Sequence, residues 1–413
     1  MMIETQVNRE RAILVGVALQ ITDNFDMSMA ELANLAKTAG ADVVDTFTQK
    51  RDRYDSKTFI GSGKLDDIKA VVEANEIDTV IVNNRLTARQ NANLEAALEV
   101  KVIDRMQLIL DIFAMRARSH EGKLQVHLAQ LNYLLPRLVG QGVMLSRQAG
   151  GIGSRGPGES QLELNRRSIR QQIIEIERQL AVVAKNRQTV RDRRVSSDTF
   201  KVGLIGYTNA GKSTIMNVLT DNKQYEANEL FATLDATTKQ LYLQNQFQAT
   251  LTDTVGFIQD LPTELVAAFK STLEESRHVD LLLHVIDASD PNHSEHEKVV
   301  LDILSDLDML DIPRLAIYNK MDLADGLTAT AFPNVRISAS DKQSKDVLRR
   351  LIIDQIRDIF EPFSIKVHQD KAYKLYALNK IALLDNYRFD DETEDISGYI
   401  SPENKWRLDE FYD

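Results

Sequence analysis

One eight-residue segment has the residue types and spacing that bind nucleotide phosphates. It reads GYTNAGKS and spans Gly206–Ser213. Its glycines let the main chain turn so that N–H groups point at phosphate oxygens, its lysine reaches the β- and γ-phosphates, and its serine hydroxyl binds Mg²⁺. An apolar run precedes the segment and a helical pattern follows it, as a phosphate-binding loop requires. The residues expected at the nucleotide are Gly206, Tyr207, Thr208, Asn209, Ala210, Gly211, Lys212 and Ser213.

A second segment, TDTVGF, supplies groups for the metal and the terminal phosphate. Its Asp253 ends another apolar run and stands where an aspartate holds Mg²⁺ through water. Gly256 would offer its N–H to the γ-phosphate, so we expect Lys212 and Gly256 to be the catalytic groups. Many GTPases carry a water-orienting glutamine where this chain has Phe257, and we therefore expect slow intrinsic hydrolysis. The residues expected to line this part of the site are Asp253, Thr254, Val255 and Gly256.

A third segment, NKMD, has the residue types that select guanine. The carboxylate of Asp322 can accept two N–H bonds from the guanine edge, and adenine cannot offer that pair. Asn319 would brace the base and the loop, and the stem of Lys320 would cover a face of the ring. Later, Ala339 ends a strand and its N–H is expected to bond the guanine oxygen. The expected base-binding residues are Asn319, Lys320, Met321, Asp322, Ser338, Ala339 and Ser340.

The segment FATLDATT, Phe231–Thr238, lies between the first two motifs and reads as a switch. One threonine here must close over Mg²⁺ in the triphosphate state, and spacing leaves Thr233 and Thr237/Thr238 as candidates. Asn209 has two interpretations, as a ligand that helps to hold K⁺ beside the phosphates or as a residue that shapes the loop. The switch residues expected at the nucleotide are Phe231, Ala232, Thr233, Leu234 and Asp235.

Regular alternation of strand and helix patterns would position these motifs. Apolar runs suited to buried strands recur through residues 200–360, which predicts a P-loop GTPase domain with a mainly parallel α/β sheet. Residues 1–118 show the same rhythm and predict an amino-terminal α/β domain. There, GSGK at Gly61–Lys64 lacks the upstream glycine of a phosphate loop and indicates a turn and a helix start. The runs of the GTPase domain are Val202–Ile205, Ala249–Thr252, Leu281–Ile286, Leu315–Tyr318 and Val335–Ile337.

Residues 119–194 predict a helical hairpin with a glycine-rich basic loop. Leucine and isoleucine stripes spaced 4-3-4-3 follow Leu124 and Ile169, and seven of the 18 glycines lie between them in the sequence. From Leu164 to Arg194 there are nine Lys/Arg and three Asp/Glu, although the whole chain carries −11. Such a probe suits structured RNA. Alternatively, the loop docks on its own GTPase domain. The RNA-contact candidates are Arg147, Arg155, Arg166 and Arg167.

The remaining boundaries follow from composition. Residues 195–199 read as a linker, and residues 361–413 read as a small α+β carboxy-terminal module with a helix over Tyr373–Leu384 and a strand over Ile396–Ile400. We expect Trp406 to lie in the core of that module. The chain has no cysteine, its start does not read as a signal peptide, and no apolar run approaches the roughly 20 residues that span a bilayer. We therefore expect a cytoplasmic protein without membrane contact, and a monomer.

The chain resembles the HflX family of ribosome-associated GTPases. The resemblance rests on GGIGSRGPGESQLELNRR at Gly150–Arg167 joined to GYTNAGKST, FATLDATT and DTVGF, with TFIGSGK at Thr58–Lys64. It implies hydrolysis of GTP to GDP with Mg²⁺, held by Ser213 and Thr233. It also implies binding to the large (50S) ribosomal subunit and its RNA, in splitting or rescue of stalled ribosomes under stress or in biogenesis. One alternative is an assembly scaffold that uses GTP only as a timer, and another is an ATP-using amino-terminal domain.

Overall fold

The structure of the protein is a computed structural model in two compact units. One unit contains the residues up to Ala184 and the short segment that includes Leu230 and Phe231, and the other contains most of the chain from Lys185 onward. The α/β domain and nearly all of the predicted hairpin thus belong to one unit. The structure describes residues 9–20, 24–148, 157–194, 199–220, 230–231, 237–244, 247–254, 256–258, 275–326, 328–368, 375–389 and 393–411.

The first unit contains a four-stranded parallel sheet in the order β2-β1-β3-β4. The central strand β1 is buried along almost its whole length because helices cover both faces of parallel sheets. Gly61 immediately precedes a helix, which confirms the turn and helix start predicted for GSGK. The strands are β1 (Arg11–Leu19), β2 (Asp42–Arg51), β3 (Thr79–Val82) and β4 (Lys101–Asp104). The helices between and after them are α1 (Phe25–Thr38), α2 (Ser62–Asn75), α3 (Ala88–Leu98) and α4 (Arg105–Arg116).

Two long helices follow, as the leucine and isoleucine stripes predict: α5 (His120–Gln148) and α6 (Pro157–Arg194). The first half of α5 is fixed to the sheet, because Tyr133 donates a hydrogen bond of 2.7 Å to Asp104 at the end of β4. Arg137 reaches the same carboxylate at 2.6 Å. Burial, followed by the charge of Asp104, raises the pKa of Tyr133. On α6, Ile176 of the predicted stripe is buried.

The second unit is built on a six-stranded sheet in the order β10-β9-β8-β5-β7-β6, in which only β6 is antiparallel to its neighbour. The carboxyl ends of β5, β7, β8 and β9 therefore meet at one edge, where the predicted motifs begin. The strands are β5 (Phe200–Gly206), β6 (Thr237–Tyr242), β7 (Gln248–Asp253), β8 (Leu281–Asp287), β9 (Arg314–Asn319) and β10 (Asn334–Arg336). The helices are α7 (Lys212–Thr220), α8 (His293–Asp306) and α9 (Ser344–Ile359).

The last part of the second unit is a three-stranded antiparallel sheet in the order β11-β13-β12. Its elements are β11 (Glu361–His368), α10 (Leu375–Ile381), β12 (Ala382–Phe389) and β13 (Thr393–Ile400). The strand expected at Ile396–Ile400 lies inside β13, but the helix predicted to reach Leu384 ends at Ile381. Residues 382–384 pair with β13 instead, because burial on the sheet outweighs local helix preference.

Trp406 is not part of the core, contrary to the prediction. It lies in a 3₁₀ segment, Pro402–Phe411, and is 61% exposed. In such a tight helix about one residue in three faces inward, and here Leu408 is buried in the core of the sheet. Among the described residues, no helix has the length and apolarity to cross a membrane.

Candidate nucleotide-binding site

The phosphate-binding loop joins β5 to α7 and needs glycine at both of its predicted positions. Gly206 has φ +151°, and a Cβ there would lie 2.2 Å from the carbonyl oxygen of Val285. Gly211 has φ +97°, and a Cβ there would lie 2.2 Å from Nδ2 of Asn319. Contacts this short exclude any side chain, so the loop can pack against β8 and the end of β9 only with these glycines.

The lysine of the loop is buried and folded back over the main chain. Nζ of Lys212 donates hydrogen bonds to the carbonyl oxygens of Gly206 at 3.1 Å and Tyr207 at 2.8 Å. Burial lowers the pKa of Lys212 to about 8, and the nearby charge of Asp253 partly opposes that shift. A buried cation bonded to carbonyls is stabilised further by an anion, which is what a nucleotide phosphate supplies.

Two of the residues predicted at the Mg²⁺ site, Ser213 and Asp253, have the chemistry that suits a hard cation. The hydroxyl of Ser213 donates a hydrogen bond of 3.0 Å to Oδ2 of Asp253, whose side chain is fully buried. Both side chains offer oxygen, the ligand atom that Mg²⁺ prefers. No group of three or more His, Cys, Asp or Glu residues that could hold a metal ion gathers in the described part of the chain. Mg²⁺ commonly completes its shell with phosphate oxygens and waters, so this pair matches a nucleotide-dependent metal site.

The DTVGF segment is held directly against the phosphate loop. Thr208 donates its N–H to the carbonyl oxygen of Phe257 at 2.7 Å, and the N–H of Phe257 returns to Gly206 at 3.2 Å. A Cβ on Gly256 would lie 2.9 Å from Nζ of Lys212 and 3.0 Å from Cα of Thr208, so a side chain there would crowd the phosphate loop. The ring of Phe257 is 2% exposed and faces the interior. It therefore offers no polar group to the site, as its residue type predicts.

The base-binding segment is clamped to the phosphate loop by Asn319. Its Nδ2 donates to the carbonyl oxygen of Ala210 at 3.0 Å, and its Oδ1 accepts from the N–H of Ala339 at 2.9 Å. Asn319 is 2% exposed. The sequence predicts that the N–H of Ala339 bonds the guanine oxygen. In this structure that N–H donates to Oδ1 of Asn319 instead. Ser338 and Ser340 flank it with their hydroxyls 2.7 Å apart.

The next two residues of this segment differ in their surroundings. Lys320 adopts a left-handed φ of +61°, and its Nζ forms an ion pair of 2.6 Å with Asp287 at the end of β8. That ion pair holds the lysine stem in place beside the segment. Asp322 lies in the short 3₁₀ turn Met321–Leu323 and is exposed to solvent. Its carboxylate is therefore accessible to a base.

Sequence reasoning missed Asp287. The signal that could have found it is its position, because it is a carboxylate directly at the carboxyl end of a buried parallel strand.

Only some of the predicted switch residues are among the described residues. Phe231 is buried, and its ring meets that of Phe113 edge-on with centroids 4.5 Å apart. Thr238 lies in β6 with its hydroxyl 2.9 Å from that of Thr252 on the neighbouring strand. Asn209 is exposed with φ +62°. Outside the described residues lie Ala232, Thr233, Leu234, Asp235, Val255, Arg155 and the side chain of Arg147.

Taken together, the fold and these contacts define a P-loop GTPase. Comparison with known proteins gives the family. Three family models match in succession: "GTP-binding GTPase N-terminal" at residues 26–114, "GTP-binding GTPase Middle Region" at 116–194 and "50S ribosome-binding GTPase" at 201–320. The chain is 47% identical over 391 residues to GTPase HflX of Alkalihalophilus pseudofirmus, covering 93% of this chain and 92% of that protein. It is 45% identical over 317 residues to GTPase HflX of Escherichia coli, covering 76% and 74%.

The chain belongs to the GTPase HflX family, and it is an enzyme that hydrolyses GTP. The relative in Caldanaerobacter subterraneus extends the match to 98% of this chain at 46% identity. A solved structure described as "crystal structure of SsGBP and GDP complex" superposes with a TM-score of 0.50, 24% identity and coverage of 84% of this chain and 98% of that one, which shows the shared fold. The family resemblance and the α/β fold class that the sequence predicted are thereby confirmed.

Proposed function

We propose that this protein binds the large (50S) ribosomal subunit and its RNA in the GTP state and leaves it after hydrolysis, in splitting or rescue of stalled ribosomes. The observation that carries the proposal is the match to the "50S ribosome-binding GTPase" model over residues 201–320. That span begins in β5 and ends at Lys320, so it contains the phosphate loop, the DTVG segment and the start of the base-binding segment. The part of the chain that matches a ribosome-binding domain is thus the part that forms the nucleotide site.

The nucleotide state would act through the segments beside the terminal phosphate. GTP with Mg²⁺ orders the switch around Thr233 and the main chain at Gly256, and loss of the γ-phosphate relaxes them. Lys212 and Gly256 bind the transferred phosphoryl group, while Ser213 and Thr233 hold Mg²⁺. When bound, Mg²⁺ would supply positive charge that offsets the negative charge developing on the phosphates. The exposed, left-handed Asn209 of the phosphate loop suits a K⁺ ligand, and we propose K⁺ as a further cation.

The basic helix α6 supports RNA as the partner. Arg167 is exposed and Arg166 is half-buried on this helix. On a chain with net charge −11, such local positive charge favours phosphate contacts at one place and disfavours them elsewhere. Arg147 and Arg155 border the glycine-rich segment and would add to the same contact. We propose a monomeric, cytoplasmic protein.

Sedimentation with separated ribosomal subunits tests the proposal. We expect the protein to pellet with the large subunit in a non-hydrolysable GTP analogue and to remain in the supernatant with GDP. Arg166→Glu with Arg167→Glu should weaken pelleting and make it more sensitive to salt, whereas the matched pair Lys366→Glu with Lys342→Glu, on exposed sites of the second unit, should not. Preference for the small subunit, or equal pelleting in both nucleotides, would refute the proposal.

A subunit-splitting assay separates this function from an assembly scaffold that uses GTP as a timer. Light scattering of intact ribosomes should fall when the protein and GTP are added together. A scaffold would bind the free large subunit without lowering the scattering.

A further inference from the structure

We propose that the hydroxyl of Thr208 orients the attacking water during GTP hydrolysis. The inference rests on the GTPase activity alone and not on the ribosomal partner. Thr208 is the third residue of the phosphate loop, and its side chain is 7% exposed. Its Oγ1 is buried and has no hydrogen-bond partner among the described residues. A buried hydroxyl without a partner is costly, and its presence at this point calls for a ligand.

The position of Thr208 places it beside the groups that serve the terminal phosphate. A Cβ built on Gly256 would lie 2.9 Å from Cγ2 of Thr208, 3.0 Å from its Cα and 2.9 Å from Nζ of Lys212. Thr208, Lys212 and Gly256 therefore converge on one spot. The N–H of Thr208 is bonded to the carbonyl oxygen of Phe257 at 2.7 Å, so the main chain at Thr208 is fixed.

The other described groups placed beside the terminal phosphate include no hydrogen-bond acceptor for water, and Thr208 can provide one. The ammonium of Lys212 and the N–H of Gly256 are donors only, whereas a hydroxyl both donates and accepts. Phe257 has no polar atom where other GTPases carry a glutamine, and its ring is buried. The neighbouring hydroxyl of Thr254 donates to the carbonyl oxygen of Leu204 at 2.7 Å, and the side chain of Thr254 is fully buried. Among these side chains, Thr208 is the one whose buried hydroxyl makes no hydrogen bond within the described residues, so it is available to accept one from water.

The step that Thr208 assists is in-line attack of water on the γ-phosphorus. The bond between the water oxygen and phosphorus forms as the bond from phosphorus to the bridging oxygen breaks, and the electron pair leaves with GDP. The water proton passes to an oxygen of the released phosphate. Thr208 accepts a hydrogen bond from the water and keeps no proton, so it acts by orientation.

The test compares Thr208→Val, which removes the hydroxyl at nearly constant volume, with Thr208→Ser, which keeps it. We expect Thr208→Val to lower kcat of the purified protein about 10- to 100-fold while its affinities for GDP and for a non-hydrolysable GTP analogue change less than about 3-fold. Binding of GDP with aluminium fluoride, which mimics the transition state, should weaken in parallel with kcat. Thr208→Ser should retain at least about a third of the wild-type rate.

Thr220→Val is the matched control. Its hydroxyl is bonded to the carbonyl oxygen of Met216 at 2.7 Å within α7, so its removal should leave kcat unchanged. Wild-type kcat in Thr208→Val overturns the proposal. So does an equal loss of ground-state nucleotide affinity, because the hydroxyl would then bind GTP without orienting water. A parallel loss of rate and thermal stability in both Thr208→Val and Thr208→Ser would show a structural role and also overturn it.

Discussion

Asn319→Ala should uncouple the two halves of the nucleotide site. The change removes both hydrogen bonds of the clamp and leaves the carbonyl of Ala210 and the N–H of Ala339 without their partner in a site that is 2% exposed at Asn319 and 8% at Ala339. Each buried polar group left unsatisfied costs about 1–3 kcal/mol. For the two groups together we take about 3 kcal/mol, which is near the low end of the summed range. This free energy corresponds to about a 100-fold change in an equilibrium constant.

Most of this cost should appear in nucleotide affinity. Without nucleotide, the loops can relax and hydrate the two groups, and binding must then order them again. We therefore expect the dissociation constant for a fluorescent GDP analogue to rise about 100-fold, while the thermal midpoint of the nucleotide-free protein falls by only a few degrees. Asn334→Ala is the control, because Asn334 lies on the edge strand β10 and its Nδ2 donates one hydrogen bond of 2.7 Å to the carbonyl oxygen of Ala331. Its GDP affinity should stay within about 3-fold of wild type.

Gly211→Ala perturbs the same clamp from the other side. The added Cβ would lie 2.2 Å from Nδ2 of Asn319, and the residue must also keep φ +97°. Gly40→Ala separates these effects, because Gly40 has a similar φ of +87° but nothing within 4 Å of the added Cβ. If Gly211→Ala or Asn319→Ala binds GDP within about 3-fold of wild type, the clamp is not what aligns the site, and the reasoning fails.

Three further outcomes follow from single side chains of the second unit. Asp322→Asn should weaken GDP binding at least about 100-fold and favour xanthine nucleotides, because an amide can donate to the xanthine 2-oxo group; competition binding measures this. The pKa of Lys212 is about 8 in the folded protein and 10.5 in the unfolded chain, so between those pH values the folded state binds fewer protons. The contribution of Lys212 to the free energy of unfolding therefore rises by about 3 kcal/mol from pH 8 to 10.5. Denaturation of Lys212→Met should lack that rise, and GDP affinity of the wild type should fall above about pH 8. Burial, followed by the charges of Arg314 and Lys212, lowers the pKa of His284 to about 3. The free energy of unfolding should therefore fall as the pH drops below 6.5, by about 1.4 kcal/mol at pH 5.5, and His284→Gln should reduce this pH dependence.

The segments predicted to bind the nucleotide were recognisable because each is a short run of consecutive residues whose types and spacing suit one particular part of the ligand. Gly206 and Gly211 follow from the turn that a phosphate requires, and the structure gives the added reason that a Cβ at either position would collide with β8 or Asn319. The strands were predictable because parallel strands buried on both faces appear as continuous apolar runs such as Leu281–Ile286. The turn and helix start at Gly61 were predictable because the missing upstream glycine argues against a phosphate loop there.

Long-range choices were not available from the sequence. The sequence predicted that Asn319 braces the loop, but nothing local to Asn319 identified the carbonyl oxygen of Ala210, 109 positions earlier, as its partner. Asp104 likewise receives Tyr133 and Arg137 from α5, so the first half of that helix belongs to the sheet as well as to the predicted hairpin. Trp406 was misplaced because hydrophobicity predicts burial only on average, whereas the phase of a short 3₁₀ segment decides which residue faces inward.

The charges of the site bear on how nucleotide binding and folding are linked. Lys212 is buried, and its Nζ bonds only carbonyl oxygens in the contacts described above. Burial of such a cation disfavours the folded state, and the nearby charge of Asp253 offsets this only in part, which is the physical meaning of the lowered pKa of Lys212. A phosphate at this position supplies the anion, and any ligand that binds only the folded state stabilises it by mass action. The same lysine that we propose to bind the phosphates therefore makes the nucleotide-free state the less stable one. A partner that favours nucleotide release must supply free energy to offset that loss.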